Sequence, residues 1–192
     1  MLDDQSRWDR LHAEGEGGQA PSRFLQEIID GDQWALVPGK ALDLACGKGR
    51  NALFLASRGF EVTAIDISTA GLERGREQAK AKGLSIIWQQ ADLETFELPD
   101  EVYDLIVNVS YLQRSLISRL KSALKPGGYV IFETYLIDQR AIGHPKNPDY
   151  LLAHNELLEH FRDFRVMFYR EGMFSGGGER SYRAGLFARK IA

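Results

Sequence analysis

Cysteine is almost absent from this 192-residue chain: Cys46 stands alone, so no disulfide can form within it. The sequence therefore predicts a protein of a reducing compartment, the cytoplasm. Long apolar runs are missing too. None approaches the roughly 18 residues that a bilayer-spanning helix needs. The opening MLDDQSRWDR has neither the basic stretch nor the apolar stretch of a secretory leader. Nor is one sign of charge in excess. With 24 basic against 27 acidic residues the net charge is −3, which leaves no basic footprint for nucleic acid. Internal repeats are absent as well. What is present is an ordinary globular composition, 44% hydrophobic and 27% charged, enough for one sizeable core. The expectation is one domain over residues 1–192, whose partner is a small molecule rather than a membrane or nucleic acid.

From Lys40 onward, short apolar runs alternate with amphipathic ones. Ala41–Ala45, Glu61–Ile67, Leu84–Gln90, Tyr103–Val109 and Gly128–Tyr135 read as strands. Helices are predicted over Arg50–Arg58, from a Ser68 or Thr69 cap to Lys82, and over Gln113–Leu124, where Pro126-Gly127-Gly128 ends the pattern. This alternation predicts an α/β fold, a Rossmann-like, mostly parallel seven-stranded sheet with helices on both faces. The ends differ. Residues 1–21 are polar and Gly-rich, and Ser22 opens a short helix over Phe24–Ile29. After Tyr135 come a loop with Gly143, Pro145 and Pro148 and a helix over Asn155–Phe161. Two β-rich runs follow, Phe164–Gly172 and Arg180–Lys190, predicted as an antiparallel hairpin on one sheet edge. The chain thus divides into an N-terminal lid or helix segment (1–31), a cofactor-binding core (40–135) and an acceptor-side loop, helix and hairpin (136–192).

The chemistry concentrates between the first strand and the first helix, in Asp43-Leu44-Ala45-Cys46-Gly47-Lys48-Gly49-Arg50-Asn51-Ala52. Gly47 and Gly49 permit a tight turn and close approach of backbone to a ligand. Asp66 ends the second strand, where a carboxylate can accept both hydroxyls of a ribose. The ligand is then a nucleoside-containing cofactor. Gly47-x-Gly49-x-x-Ala52 also satisfies the dinucleotide pattern, which leaves a nicotinamide-dependent oxidoreductase open. Two residues favour S-adenosylmethionine instead. Asp43, just before the loop, suits an amino group and would repel a pyrophosphate. Asp92, at the end of the third strand, suits the adenine amino group. Each of these acids has a plain structural alternative as a helix cap.

At these residues the chain resembles the class I S-adenosylmethionine-dependent methyltransferases. LDLACGKGRNALFLA is similar to their first motif, VTAIDIS to their ribose motif, ADL to their adenine motif and LKPGGYVIFE to their turn and fifth strand. The resemblance runs from about Trp8 to Lys190. WDRLHAEG…PSRFL and the Gly-Arg-Asn after the glycines are similar to the tellurite-resistance branch. One departure is visible: Ala45 stands where the family loop usually has glycine. The resemblance implies Asp43, Gly47 and Gly49 at the methionine end, Asp66 at the ribose, Asp92 and Leu93 at the adenine, and Asn108 facing the sulfonium. Ala45, Asn51 and Ile67 join them in the matching motifs, and Trp8 and Arg23 form a lid over the cofactor.

Its function is then methyl transfer from S-adenosylmethionine to a small molecule, a tellurite- or selenite-type oxyanion or a thiol. A non-catalytic module that binds the same cofactor remains the other alternative. Acceptor-side candidates are Tyr111, Arg114, Tyr135, His144, Arg180 and Arg183, the arginines because a planar guanidinium binds oxyanions through paired donors. No metal site is expected, since His154 and His160 are spaced by six and diverge around a helix. Cys46 is expected to pack rather than react.

Overall fold

A computed structural model describes residues 2–14, 20–176 and 179–191. The elements are α1 (Leu2–Glu14), α2 (Arg23–Ile29), β1 (Lys40–Leu44), α3 (Arg50–Ser57), β2 (Glu61–Asp66), α4 (Thr69–Ala81), β3 (Ile86–Gln90), β4 (Tyr103–Val109), α5 (Leu116–Ala123), β5 (Leu124–Tyr135), α6 (Glu156–His160), β6 (Phe164–Gly176) and β7 (Glu179–Lys190). Short 3-10 turns at Ile137–Ala141 and Pro148–Tyr150 occupy the loop after β5. No helix among the described residues is long and apolar enough to cross a membrane.

The seven strands lie in the order β3-β2-β1-β4-β5-β7-β6. β1 to β5 pair in parallel, and β7 is antiparallel to both β5 and β6. This is the predicted mostly parallel sheet with an antiparallel pair at one edge. The later strand of that pair, β7, sits inside and β6 outside. Ala184, Leu186, Phe187 and Ala188 of β7 are buried, which is what an inner position demands. Alternation along the strands sends side chains to two cores. On one face Phe24, Leu25 and Ile28 of α2, Leu55 of α3 and Leu72 of α4 cover Val107, Ile131 and Phe187. On the other, Leu116 and Leu120 of α5 and Leu157 of α6 cover Ile106, Phe132 and Leu186.

Several boundaries differ from expectation for local reasons. β1 stops at Leu44 because Ala45 turns left-handed, with φ 50°. β5 begins at Leu124, ahead of Pro126, and its pairing with β4 shifts register between Tyr103 and Leu105. A proline without an N–H is tolerated at such an irregularity. The largest difference is α1, thirteen residues of helix where the sequence predicts a polar, Gly-rich lid segment with its helix only from Phe24 on. Its mean hydropathy conceals one docking stripe. Gln5, Asp9 and His12 recur at helical spacing and face α4: Gln5 Nε2 donates to Thr69 Oγ1 at 3.4 Å, and Asp9 Oδ1 accepts from Ser68 Oγ at 2.7 Å and from the Ala70 amide at 3.1 Å. The stripe is polar because it meets the N-terminus of α4, where amides lack intrahelical partners and an anion is favoured.

Candidate cofactor and acceptor site

The C-terminal ends of β1, β2, β3 and β4 form one rim, the usual place for a ligand in a parallel sheet. Asp43 lies on β1, fully buried, and neither carboxylate oxygen has a hydrogen-bond partner among the described residues. Burial pushes its carboxyl up to about 7, while the nearby Ala52 amide and the Arg50 charge oppose this only in part and the neighbouring Asp66 adds to it. An orphaned buried carboxylate is costly unless a cation completes it. The α-ammonium of S-adenosylmethionine is such a cation, so the residues fit that cofactor at its methionine end.

Asp66 ends β2 and is buried. Its Oδ2 accepts from the Gly47 amide at 2.7 Å and its Oδ1 from the Ser68 amide at 2.8 Å. Asp66 thus ties the turn together, but the helix-cap alternative does not hold for it: Ser68 caps α4 through the Gly71 amide. A carboxylate has about four lone-pair positions, so two stay available to ribose hydroxyls. Ile67 follows, its carbonyl accepting from Gln90 Nε2 at 3.4 Å. After β3, Asp92 Oδ1 accepts from the Glu94 amide at 2.9 Å, and Leu93 is buried beside it.

The two glycines of the loop answer to different neighbours. A Cβ on Gly47 would come 3.1 Å from His12 Nε2, whereas one on Gly49 would come 2.2 Å from the Trp88 ring. Both have positive φ, 54° and 75°. Gly47 therefore opens toward the rim, and Gly49 makes room for a tryptophan that also presses on Gly75. His12 brings an imidazole to the rim, its Nδ1 buried without a partner among the described residues. Burial holds His12 below its ordinary value against the pull of Asp66, so the neutral ring is favoured. Trp8 stacks on His12 with centroids 5.9 Å apart and is itself exposed, as is Arg23 at the start of α2. Cys46 is buried and its thiol is pushed up, so it packs as expected.

Asn51 and Asn108 are both buried and both engaged by backbone. Asn51 Oδ1 accepts from the Ser22 amide at 3.0 Å, and Asn108 Nδ2 donates to the Tyr111 carbonyl at 2.7 Å. Asn108 lies within β4, as the predicted strand has it. Ser22 Oγ also donates to Glu133 Oε2 at 2.5 Å, so the strap before α2 is clasped to α3 and β5 at once.

The six acceptor-side candidates separate. Tyr135 and Arg183 come together, the guanidinium 4.0 Å above the ring, with Arg183 Nη1 donating to Ser110 Oγ at 3.0 Å and 4.0 Å from Glu133 Oε2. Ser110 holds that hydroxyl out from the end of β4 in a left-handed conformation, φ 60°. Tyr111 turns instead toward Glu94 and Asp92. Its hydroxyl is raised by burial and by Glu94, Asp92 and Asp66, and donates to Gln113 Oε1 at 2.7 Å. Arg114 is a clasp, bound to Glu156 at 2.6 Å and to the Asp149 and Leu151 carbonyls. His144 sits in the exposed loop after β5, and Arg180 pairs across from Ser175 near the end of the β6–β7 pair. The sequence assigns no site role to Ser22, Ser110, Glu133, Trp88 or His12; of these only His12, in step with Gln5 and Asp9, has a periodic signal. No cluster of metal-ligating side chains occurs among the described residues.

Residues 41–128 match the family model described as a methyltransferase domain. The Haemophilus influenzae protein named probable S-adenosyl-L-methionine-dependent methyltransferase TehB is 30% identical over 154 residues, 77% of this chain and 53% of its own length. The ubiquinone biosynthesis O-methyltransferase of Histophilus somni is 34% identical over 122 residues, 58% of this chain and 50% of that one. The chain spans about half the length of these curated relatives. Among solved structures, TehB from Haemophilus influenzae superposes with a TM-score of 0.77 at 25% identity, over 95% of this chain and 67% of that chain. The [4+2]-cyclase SpnF superposes at 0.74 with 18% identity over 98% of this chain and 95% of that chain, a likeness of fold alone.

Proposed function

We propose that this chain, which matches the methyltransferase-domain model over residues 41–128 and resembles TehB, transfers a methyl group from S-adenosylmethionine to a small oxyanion or thiol held beside Tyr135 and Arg183. One observation carries the reading: the paired, unpartnered oxygens of Asp43 beneath a glycine loop. When bound, S-adenosylmethionine supplies a methyl already activated by its sulfonium. The chain's own residues bind and orient. Asp43 takes the ammonium, Asp66 the ribose hydroxyls, and Asp92 with Leu93 the adenine, while α1 carries Trp8 across the rim as a lid. Arg183, held flat on Tyr135 and tethered to Ser110, presents Nη2 hydrogens that have no partner among the described residues. Those donors suit an oxyanion or thiolate. Holding nucleophile and methyl in line supplies up to about 7–11 kcal/mol in favourable systems, so no covalent intermediate is required. The same reading places the whole chain in one domain in the cytoplasm.

Calorimetric titration with S-adenosylmethionine, S-adenosylhomocysteine and NADH tests the cofactor. Saturable binding of the first two without the third is expected, followed by methylation of selenite or a small thiol. Binding of NADH alone would overturn the reading. Binding without transfer to any acceptor would leave a sensing module.

A further inference from the structure

Between β3 and β4 the chain makes no helix, so the turn that carries Asp92 and Leu93 must be held by other means. Part of the support is internal: the Asp92 carbonyl accepts from the Thr95 amide at 3.1 Å and the Phe96 amide at 2.8 Å. The rest comes from across the molecule. Arg119 of α5 reaches under the turn, Nη1 donating to the Phe96 carbonyl at 2.7 Å and Nη2 to the Leu93 carbonyl at 2.8 Å and, more weakly, to the Glu94 carbonyl at 3.5 Å. The carbonyls of Leu93, Glu94 and Phe96 thus converge on one planar cation. Its charge also reaches the Tyr111 hydroxyl, which burial, Glu94 and Asp92 push up and Arg119 pulls down. Arg119, Tyr111, Asp92 and Glu94 therefore share one neighbourhood.

We propose that Arg119 is a positioning residue that sets the preference of this chain for a 6-amino purine, by locking the turn on which Asp92 and Leu93 stand. The inference rests on the proposed adenine role of those two residues. The physical ground is the difference between a cradle and a contact. Asp92 Oδ1 already accepts from the Glu94 amide, so its second oxygen is the freer of the two to accept from an exocyclic amino group. Its direction depends on the backbone of residues 92 to 96. A carboxylate that drifts by an ångström loses the hydrogen bond that distinguishes an amino from a keto group, while the stacking and apolar contacts of the ring survive. A guanidinium holds two carbonyls at a fixed spacing; an ammonium on a flexible stem cannot.

The experiment is calorimetric titration of the wild-type chain, R119M and R119K with S-adenosylhomocysteine and with S-inosylhomocysteine, in which oxygen replaces the 6-amino group. Thermal melting of each variant runs alongside. The wild type is expected to prefer the amino compound. In R119M the amino compound should weaken by about tenfold, as one charge-assisted clasp is released, while the inosyl compound changes within about twofold, so the preference collapses. R119K keeps charge and bulk and should lose the preference too, without a large fall in melting temperature. Equal weakening of both ligands in R119M, or full preference in R119K, would overturn the proposal and reduce Arg119 to a structural strut. If the wild type binds both compounds equally, Asp92 does not read the amino group and the proposal falls with it. Should the wild type fail to bind S-adenosylhomocysteine at all, the methyltransferase reading itself is what has failed.

Discussion

In its proposed role as the partner of the cofactor's ammonium, Asp43 trades stability for binding. Its carboxyl is pushed up to about 7 by burial, above the value of about 4 for an exposed aspartate. The folded chain therefore keeps the proton that the unfolded chain releases. The resulting stability is complete below about pH 4, is lost as pH rises toward about 7, and is flat above that. A ligand ammonium reverses the preference, because it favours the ionised carboxylate. S-adenosylhomocysteine should bind more tightly as pH rises from about 5.5 to about 7, by up to tenfold per unit. Asp43→Asn should abolish that dependence and weaken binding by about 1.5–3 kcal/mol, while the free protein melts higher above pH 7 because a buried unpaired charge is gone. Calorimetry and melting across the pH series check both halves. Ala45 is the residue at which a departure from the family loop meets its physical meaning. It sits at φ 50°, a conformation that glycine adopts without strain and alanine does not.

At the scale of elements, the strands and helices that pack by a regular apolar period were legible, and α1 was not. Its Trp8 and Leu11 are 42% and 50% exposed, and the residues that dock it are polar. A search for apolar periodicity passes over such a helix, since what fastens it is capping chemistry at the start of α4. Asp9 supplies that chemistry. Asp9→Ala should cost about 1 kcal/mol of local stability and speed tryptic cleavage after Arg7 and Arg10. Bound S-adenosylhomocysteine should slow cleavage at the same bonds in the wild type; cleavage indifferent to ligand would show that α1 is not a lid.

Over the whole molecule, the antiparallel pair is joined to the parallel core through a glycine with no unusual backbone. A Cβ on Gly185 of β7 would come 2.9 Å from the ring of Phe24 of α2, which is completely buried. Gly185→Ala should destabilise by about 1–3 kcal/mol through overpacking. Because the Ser22 clasp to Asn51 and Glu133 lies at the start of the same helix, affinity for S-adenosylhomocysteine should fall as well. Denaturant melts and titration of this variant measure the two effects.

By itself the sequence determined the class of sheet, the position of the glycine loop and the three acids at the ends of β1, β2 and β3. Each of these follows from local spacing: apolar runs of strand length, glycines at a turn, an acid where a strand stops. Only the tertiary structure decided that Gly49 yields to Trp88 and Gly47 to the rim, that Tyr111 belongs beside Asp92, and that Arg183 alone of the candidate arginines faces Tyr135. It also decided that Ser22, Glu133 and Arg119 fasten the site from afar. Those pairings span 23 to 111 residues of chain, and no period or motif encodes which of many exposed-looking polar residues will meet once the sheet has set its order.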